Sequence, residues 1–136
     1  MQIRKATKND SKQILKLIKE LADFEKLSPP DSSAQRRLIN AAFSKSPKIN
    51  ILVVEDKGNL IAYAIYMYLF SSFLAKPTLY LEDIYVSQNC RRAGIGKKMF
   101  DKIISIAKSK KCGRIELMVL NWNKNAISFY EKYSAR

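Results

Sequence analysis

The chain of 136 residues predicts an α/β fold built on a mixed central sheet flanked by helices. Three observations carry that reading. Segments with period-2 or unbroken apolar character alternate with segments of helical period along the chain. Two strand segments, "INILVVE" and "LIAYAIYMYLF", are joined by the glycine turn "DKGN", the mark of an antiparallel hairpin. A strand, a helix and a second strand then follow each other from about residue 80 to 119, which is the order of a parallel crossover.

In order, "QIRKA" reads as a short first strand. Asp10 followed by Gln13 has the spacing of a capping box, and the helix after it sets Ile14, Leu17, Ile18 and Leu21 on one face. "LSPPD" ends that region, and Asp31 is placed to cap a second helix containing Leu38, Ile39, Ala42 and Phe43. After the hairpin comes the loop "SSFLAKP", then the strand "TLYLEDIYV". A helix from Gly94 to Lys110 aligns Ile95, Met99, Ile103 and Ala107, with Phe100 and Ile104 beside them. Gly113 reads as the residue that breaks this helix, "RIELMVL" as a strand, and "NKNAISFYEKY" as a last helix starting near Asn123. The order is β-α-α-β-β-β-α-β-α, with no repeat and no internal linker, so residues 1–136 read as a single domain.

Composition narrows the chemistry. There are 25 Lys and Arg against 12 Asp and Glu, a net charge of +13. Such a field attracts polyanions, a phosphorylated cofactor or nucleic acid, and it equally fits a lysine-coated solvated surface. No apolar run reaches the roughly 18 residues of a membrane helix, and "MQIRKATKND" lacks the apolar core of a secretory signal, which points to the cytoplasm. There is no histidine, and Cys90 and Cys112 lack metal-ligand spacing, so no metal is expected. Acid–base work then falls to carboxylate, tyrosine, lysine, cysteine or water.

The most specific stretch is "LYLEDIYVSQNCRRAGIGKKMFDKI", where a strand carrying two adjacent acids turns through arginines and glycines into a helix. Unsatisfied N–H groups and the dipole at a helix N-terminus favour an anion, and glycine lets a phosphate approach closely. A Walker loop is excluded because no Ser or Thr follows Lys97 at the required place. A dinucleotide fingerprint is excluded because Met99 stands where its third glycine belongs, and Glu116 lies near the start of its strand rather than the end.

The run Arg91-Arg92-Ala93-Gly94-Ile95-Gly96 resembles the acetyl-CoA pyrophosphate loop of the GNAT superfamily of N-acetyltransferases. "NWNKNAISFYEK" is similar to the last motif of that superfamily. The opening "IRKATKNDSKQILKLIKELADFEK" and the run "LYLEDIYV" resemble its diamine (spermidine/spermine) and thialysine branch.

The resemblance implies acetyl transfer from acetyl-CoA to the primary amine of a small diamine, polyamine or lysine-like substrate. It implies that Tyr130 donates a proton to the departing sulfur, against the alternative of a tyrosine that only packs its ring. It implies that Glu82 contacts the amine and passes its proton onward, directly or through water. Side-chain alternation puts Glu82 and Asp83 on opposite strand faces, leaving Asp83 as a cap partner or surface acid. Backbone groups of Ile84 and Val86 would pair with the cofactor's amides, and Arg91, Arg92, Ala93, Gly94, Ile95, Gly96 and Lys97 would hold its phosphates. Asn123 would contact the cofactor or cap the last helix, or both. Phe24 and Glu25 would line the amine pocket. The loop "SSFLAKP" lacks the acid some diamine enzymes carry nearby, which leaves a lysine-like or thialysine-like amine open.

Two alternatives stand beside this reading. One is a CoA-binding protein of little activity. The other is a basic nucleic-acid-binding module, though the chain lacks the interleaved aromatics and the module signature of that partner class. Family members usually continue past the last helix into further strands, so the C-terminal strands are expected to be missing here. A homodimer covering the edge near residues 114 to 120 is the expected assembly.

Overall fold

A computed structural model describes residues 1–91, 94–120 and 122–131. The elements follow the predicted order: β1 (Gln2–Lys5), α1 (Ser11–Phe24), α2 (Ser32–Phe43), β2 (Asn50–Asp56), β3 (Asn59–Ser71), β4 (Lys76–Val86), α3 (Ile95–Ser109), β5 (Arg114–Leu117) and α4 (Lys124–Glu131). Single 3₁₀ turns at Lys8–Asp10 and Gln88–Cys90 precede α1 and α3. The sheet runs β1-β2-β3-β4-β5, antiparallel throughout except for the parallel pair β4–β5.

Two apolar clusters sandwich the sheet. On one face Ile14, Leu17 and Ile18 of α1 meet Ile51, Val53, Tyr63, Ile65 and Tyr85. On the other Ile95, Met99, Phe100 and Ile103 of α3 meet Leu52, Val54, Ala62, Ala64, Leu79 and Leu81. The helical stripes read from the sequence are therefore the buried ones, because removing their apolar area from water offsets the ordering of the chain.

Several local expectations are corrected. Asp10 forms no capping box with Gln13. Its carboxylate turns back to accept from the Thr7 N–H at 2.7 Å and from the Arg4 guanidinium at 2.8 and 3.0 Å. Gln13 instead ties α1 to the β2–β3 turn, accepting from the Leu60 N–H at 2.8 Å. Asp31 caps α2 as expected, accepting from the Ala34 N–H at 2.9 Å. Gly113 does not break α3. That helix closes through left-handed Lys111 (φ 58°), with Cys112 N–H donating to the Ala107 carbonyl and Lys111 N–H to that of Lys108. Gly113 lies close to the β3–β4 turn, where an added Cβ would come 2.9 Å from Leu74 Cδ1 and make that exposed side chain shift. The "SSFLAKP" loop is shorter than expected, with β3 running to Ser71 and β4 starting at Lys76. The strand in "RIELMVL" stops at Leu117.

The correction with functional weight lies in β4. Its register against β3 pairs Asp83 with Ile65 and Leu81 with Tyr66, so Glu82 is an extra residue at a β-bulge. Leu79 and Leu81 pack into the α3-side cluster, and Ile84 and Val86 pack against the same cluster. The step from 81 to 84 breaks the period of two. Asp83 therefore falls to the α1 side, where it is half-buried and accepts from the Tyr63 hydroxyl rather than being a surface acid, and Glu82 is the exposed extra residue.

Candidate functional site

Parallel pairing of β4 with β5 covers only Thr78–Leu81 against Arg114–Leu117. Beyond it, among the described residues, Glu82 to Val86 has β3 on one side and no strand on the other. This open edge leads into the turn where α3 begins. Gly94 is the N-cap of α3 at φ 72°, and it brings no capping side chain. The first helical hydrogen bond is Lys98 N–H to the Gly94 carbonyl at 3.1 Å. The N–H groups of Ile95, Gly96 and Lys97 thus lie within the first turn, ahead of the intrahelical ladder. A Cβ on Gly96 would sit 4.0 Å from Val86 Cγ2. This is a cradle suited to a phosphate.

Its side chains divide the work. Ile95 is buried in the α3-side core, so only its backbone faces the turn. Lys97 is exposed and pairs with Asp101 at 2.9 Å. Arg91 donates from Nε to the Val86 carbonyl at 3.1 Å, and its guanidinium lies 5.1 Å from the Phe24 ring centre and 5.6 Å from that of Tyr85. Arg92 and Ala93 lie outside the described residues. Ile84 and Val86 pack their side chains against the α3-side cluster. Asn123 Oδ1 accepts from the Ala126 N–H at 3.2 Å, which makes it the cap of α4.

The end of α1 forms the opposite wall. The chain leaves the helix through left-handed Lys26 (φ 60°), with Leu27 N–H donating to the Ala22 carbonyl and Lys26 N–H to that of Asp23. This closing motif fixes Phe24 and Glu25 at the last turn. Phe24 packs on Trp122 at 5.8 Å, and Lys26 Nζ lies 5.5 Å above the same indole. Arg91, Phe24, Trp122 and Lys26 thus form a continuous stack from the α3 turn to the loop before α4.

Behind this stack the site is acidic. Glu20, Asp23 and Glu25 crowd the C-terminal end of α1, and no basic residue sits in its last turn. Carboxylates at the negative end of a helix dipole oppose stability and strengthen the attraction for a cation. Asp83 accepts from the Tyr63 hydroxyl at 3.0 Å, and burial, against the pull of that bond, pushes its carboxyl up to about 6. The charges of Glu82 and Glu25 push in the same direction. Burial also raises Glu25. Glu20 accepts from both the Tyr85 hydroxyl and Ser87 Oγ at 3.1 Å, tying α1 to the end of β4.

Tyr130 on α4 packs edge-on to Phe100 at 5.5 Å and to Phe129 at 5.2 Å. Burial pushes its hydroxyl up to about 12, with smaller contributions from Glu25 and Asp83. The phenol is therefore protonated near neutrality and available as a donor. Glu82 is exposed at the bulge beside Asp83.

The structure brings Glu25, Asp83 and Tyr130 into one electrostatic neighbourhood, with Glu82 next to Asp83. The sequence reading missed Tyr63, Asp83, Glu20 and Trp122. Asp83, beside Glu82 in the "LYLEDIYV" run, and Trp122, adjacent to the Asn123 motif, carried a local signal. Among the described residues no group of three or more Cys, Asp or Glu could hold a metal ion, and no helix is long and apolar enough to cross a membrane.

The α3 turn, the open strand edge and the carboxylates Glu25 and Asp83 near Tyr130 together make the candidate site of a transferase. The profile described as "Acetyltransferase (GNAT) family" matches residues 14–134, and the chain belongs to that family. It is an N-acetyltransferase. The thialysine N-epsilon-acetyltransferases of Sus scrofa and Mus musculus are each 35% identical over 142 residues, covering 98% of this chain and 83% of theirs. The spermidine/spermine N(1)-acetyltransferase-like protein 1 of Homo sapiens is 33% identical over 98% of this chain and 20% of its own length. A solved probable acetyltransferase superposes with TM-score 0.87 at 21% identity over 100% of this chain and 90% of its own. A possible acetyltransferase from Clostridium difficile 630 gives 0.85 at 25% identity over 97% of this chain and 88% of its own.

Proposed function

We propose that the protein transfers an acetyl group from acetyl-CoA to the primary amine of a small diamine, polyamine or lysine-like substrate. The observation that carries this is Asp83, turned by the β4 bulge to the α1 side, where its raised carboxyl feels the charges of Glu25 and of the adjacent Glu82. In a chain of net charge +13, a local acidic pocket is what a cationic substrate needs. The similar relatives carry the names of such amines, thialysine and spermidine/spermine.

On this reading the phosphates of the donor lie on the N–H groups at the start of α3, helped by Arg91, Lys97 and the Arg92 and Ala93 backbone. The pantetheine arm lies along the open edge at Ile84 and Val86, with Asn123 alongside. The thioester supplies an electrophilic carbonyl at that edge. An alkyl ammonium has a pKa near ~10.4 and must lose a proton before it can attack. Glu25 and Asp83 hold the ammonium against the Phe24 and Trp122 wall, and Glu82, at the solvent-facing bulge, takes the proton directly or through water. Tyr130, still protonated, donates to the departing sulfur. The protein works as a homodimer, a reading supported by exposed Phe70 and Phe73 near the β3–β4 turn and exposed Met118 just after β5.

The test is thiol release from acetyl-CoA with a panel of diamines, polyamines, lysine and thialysine. Turnover with at least one amine is expected. Thiol release with none of them would leave the reading without its substrate class.

A further inference from the structure

A second charged feature lies away from this site. Between α1 and α2 two adjoining cavities of about 520 and 410 Å³ share Leu15 and Gln35 and form one groove. Its cationic lining is Lys8, Lys12, Lys16 and Lys19 on the α1 side and Arg36 on the α2 side, all exposed. No carboxylate lines either cavity, and none of these five cations takes part in an ion pair among the described residues. Asp23, one turn beyond Lys19, ends the stripe.

The floor is apolar, with Leu15, Ile39 and Phe43 half-buried. A helix climbs about 1.5 Å per residue, so Lys12 and Lys16 stand about 6 Å apart along α1. That is close to the phosphate-to-phosphate spacing of a nucleic-acid strand. Lys16 and Lys19 have Glu20 and Asp23 one turn further on, whereas Lys8 and Lys12 have no carboxylate three or four residues away.

We propose that this groove binds a single-stranded nucleic acid, with phosphates on the Lys12–Lys16–Lys19 stripe and Arg36 and a base face against Phe43. The charge pattern selects a polyanion. The concave shape selects a strand over a duplex, which is too wide to enter between two neighbouring helices. It also disfavours an anionic membrane, which needs a projecting apolar face. The groove is separate from the amine pocket and does not depend on the acetyl-transfer reading.

The experiment measures anisotropy of a labelled oligouridylate against salt concentration, using the full chain. For a single strand, log K falls with log salt at about −0.7 per neutralised phosphate, so four contacts give a slope of roughly −3. The combined substitution Lys12→Gln, Lys16→Gln and Lys19→Gln should flatten the slope by about 2 and weaken binding at low salt at least tenfold. A second triple, Lys102→Gln, Lys108→Gln and Lys110→Gln, removes the same charge from exposed positions of α3 and its end and should leave the slope unchanged. Circular dichroism and an unchanged thermal melt establish that both variants are folded. Absence of oligouridylate binding, equal losses in the two triples, or binding only to phosphatidylserine vesicles would each overturn the proposal.

Discussion

Replacing Asp83 with asparagine should make the protein more stable and less active. Asp83 carries its carboxyl at about 6 rather than 3.8, first because it is buried and then because Glu82 and Glu25 are near. A carboxyl raised in the folded state holds its proton more tightly there than in the unfolded chain. Its contribution is fully present below about pH 3.8 and is lost as pH rises through about 6. Two units correspond to about 3 kcal/mol at most. The neutral amide escapes this penalty while its oxygen still accepts from Tyr63, although its NH₂ group then needs a partner of its own. A net gain of about 1–2 kcal/mol at pH 7.5 follows, or roughly 4–8 °C in Tm for a chain of this size.

Scanning calorimetry of both proteins from pH 4 to 8 is the assay. Glu25 is also raised and titrates somewhere above its usual range, so the readout is the difference between the two curves. That difference should grow across the window from about pH 4 to 6.5 and level off above it. Thiol release with the preferred amine should drop at least tenfold in kcat/KM. An Asp83→Asn protein that is less stable than the parent at pH 7.5, with no pH-dependent difference, would refute the desolvation account of this carboxylate.

Tyr130→Phe keeps the contacts with Phe100 and Phe129 and removes only the hydroxyl, so kcat should fall on the order of 10²-fold with acetyl-CoA affinity little changed. Steady-state kinetics with calorimetric titration checks this, and normal turnover would leave Tyr130 a packing residue. Gly96→Ala meets only Val86 at ordinary contact distance, so Tm should hold while acetyl-CoA binding weakens by calorimetry. Gly94→Ala, at φ 72°, should in contrast lose about 1–2 kcal/mol of stability as well. Asp10, held down to about 2 mainly by Arg4, contributes stability present above about pH 3.8 and lost as pH falls through 2. Asp10→Asn should therefore lower Tm at pH 7 and narrow that acid-side dependence, as read by thermal melts. Light scattering at micromolar concentration should give a dimer mass, and a clean, active monomer would rule the assembly out.

Where the sequence could be read, one local rule decided the outcome. The stripe Ile95, Met99, Ile103 and Ala107 needs only helical period and an apolar core, and all four are buried. The hairpin "DKGN" needs only a turn that tolerates positive φ, met at Lys57 and Gly58. Where it misled, a distant partner had overridden the local rule. Asp10 prefers Arg4, itself held by Glu55 of β2, over the start of its own helix. Gly113 answers to Leu74, 39 residues earlier. The bulge at Glu82 follows the same logic with a larger consequence. Strict alternation along β4 would have sent one of the two acids into the α3-side cluster with Leu81 and Ile84, where an unpaired carboxylate is costly. One extra residue keeps that cluster apolar, turns Asp83 toward the α1 side and leaves Glu82 exposed. It also ends the regular pairing at Leu81, where β5 departs and the edge of β4 becomes free. The same local defect thus frees the edge of β4 and sets Asp83 beside Tyr63, so both features of the candidate site share one structural cause.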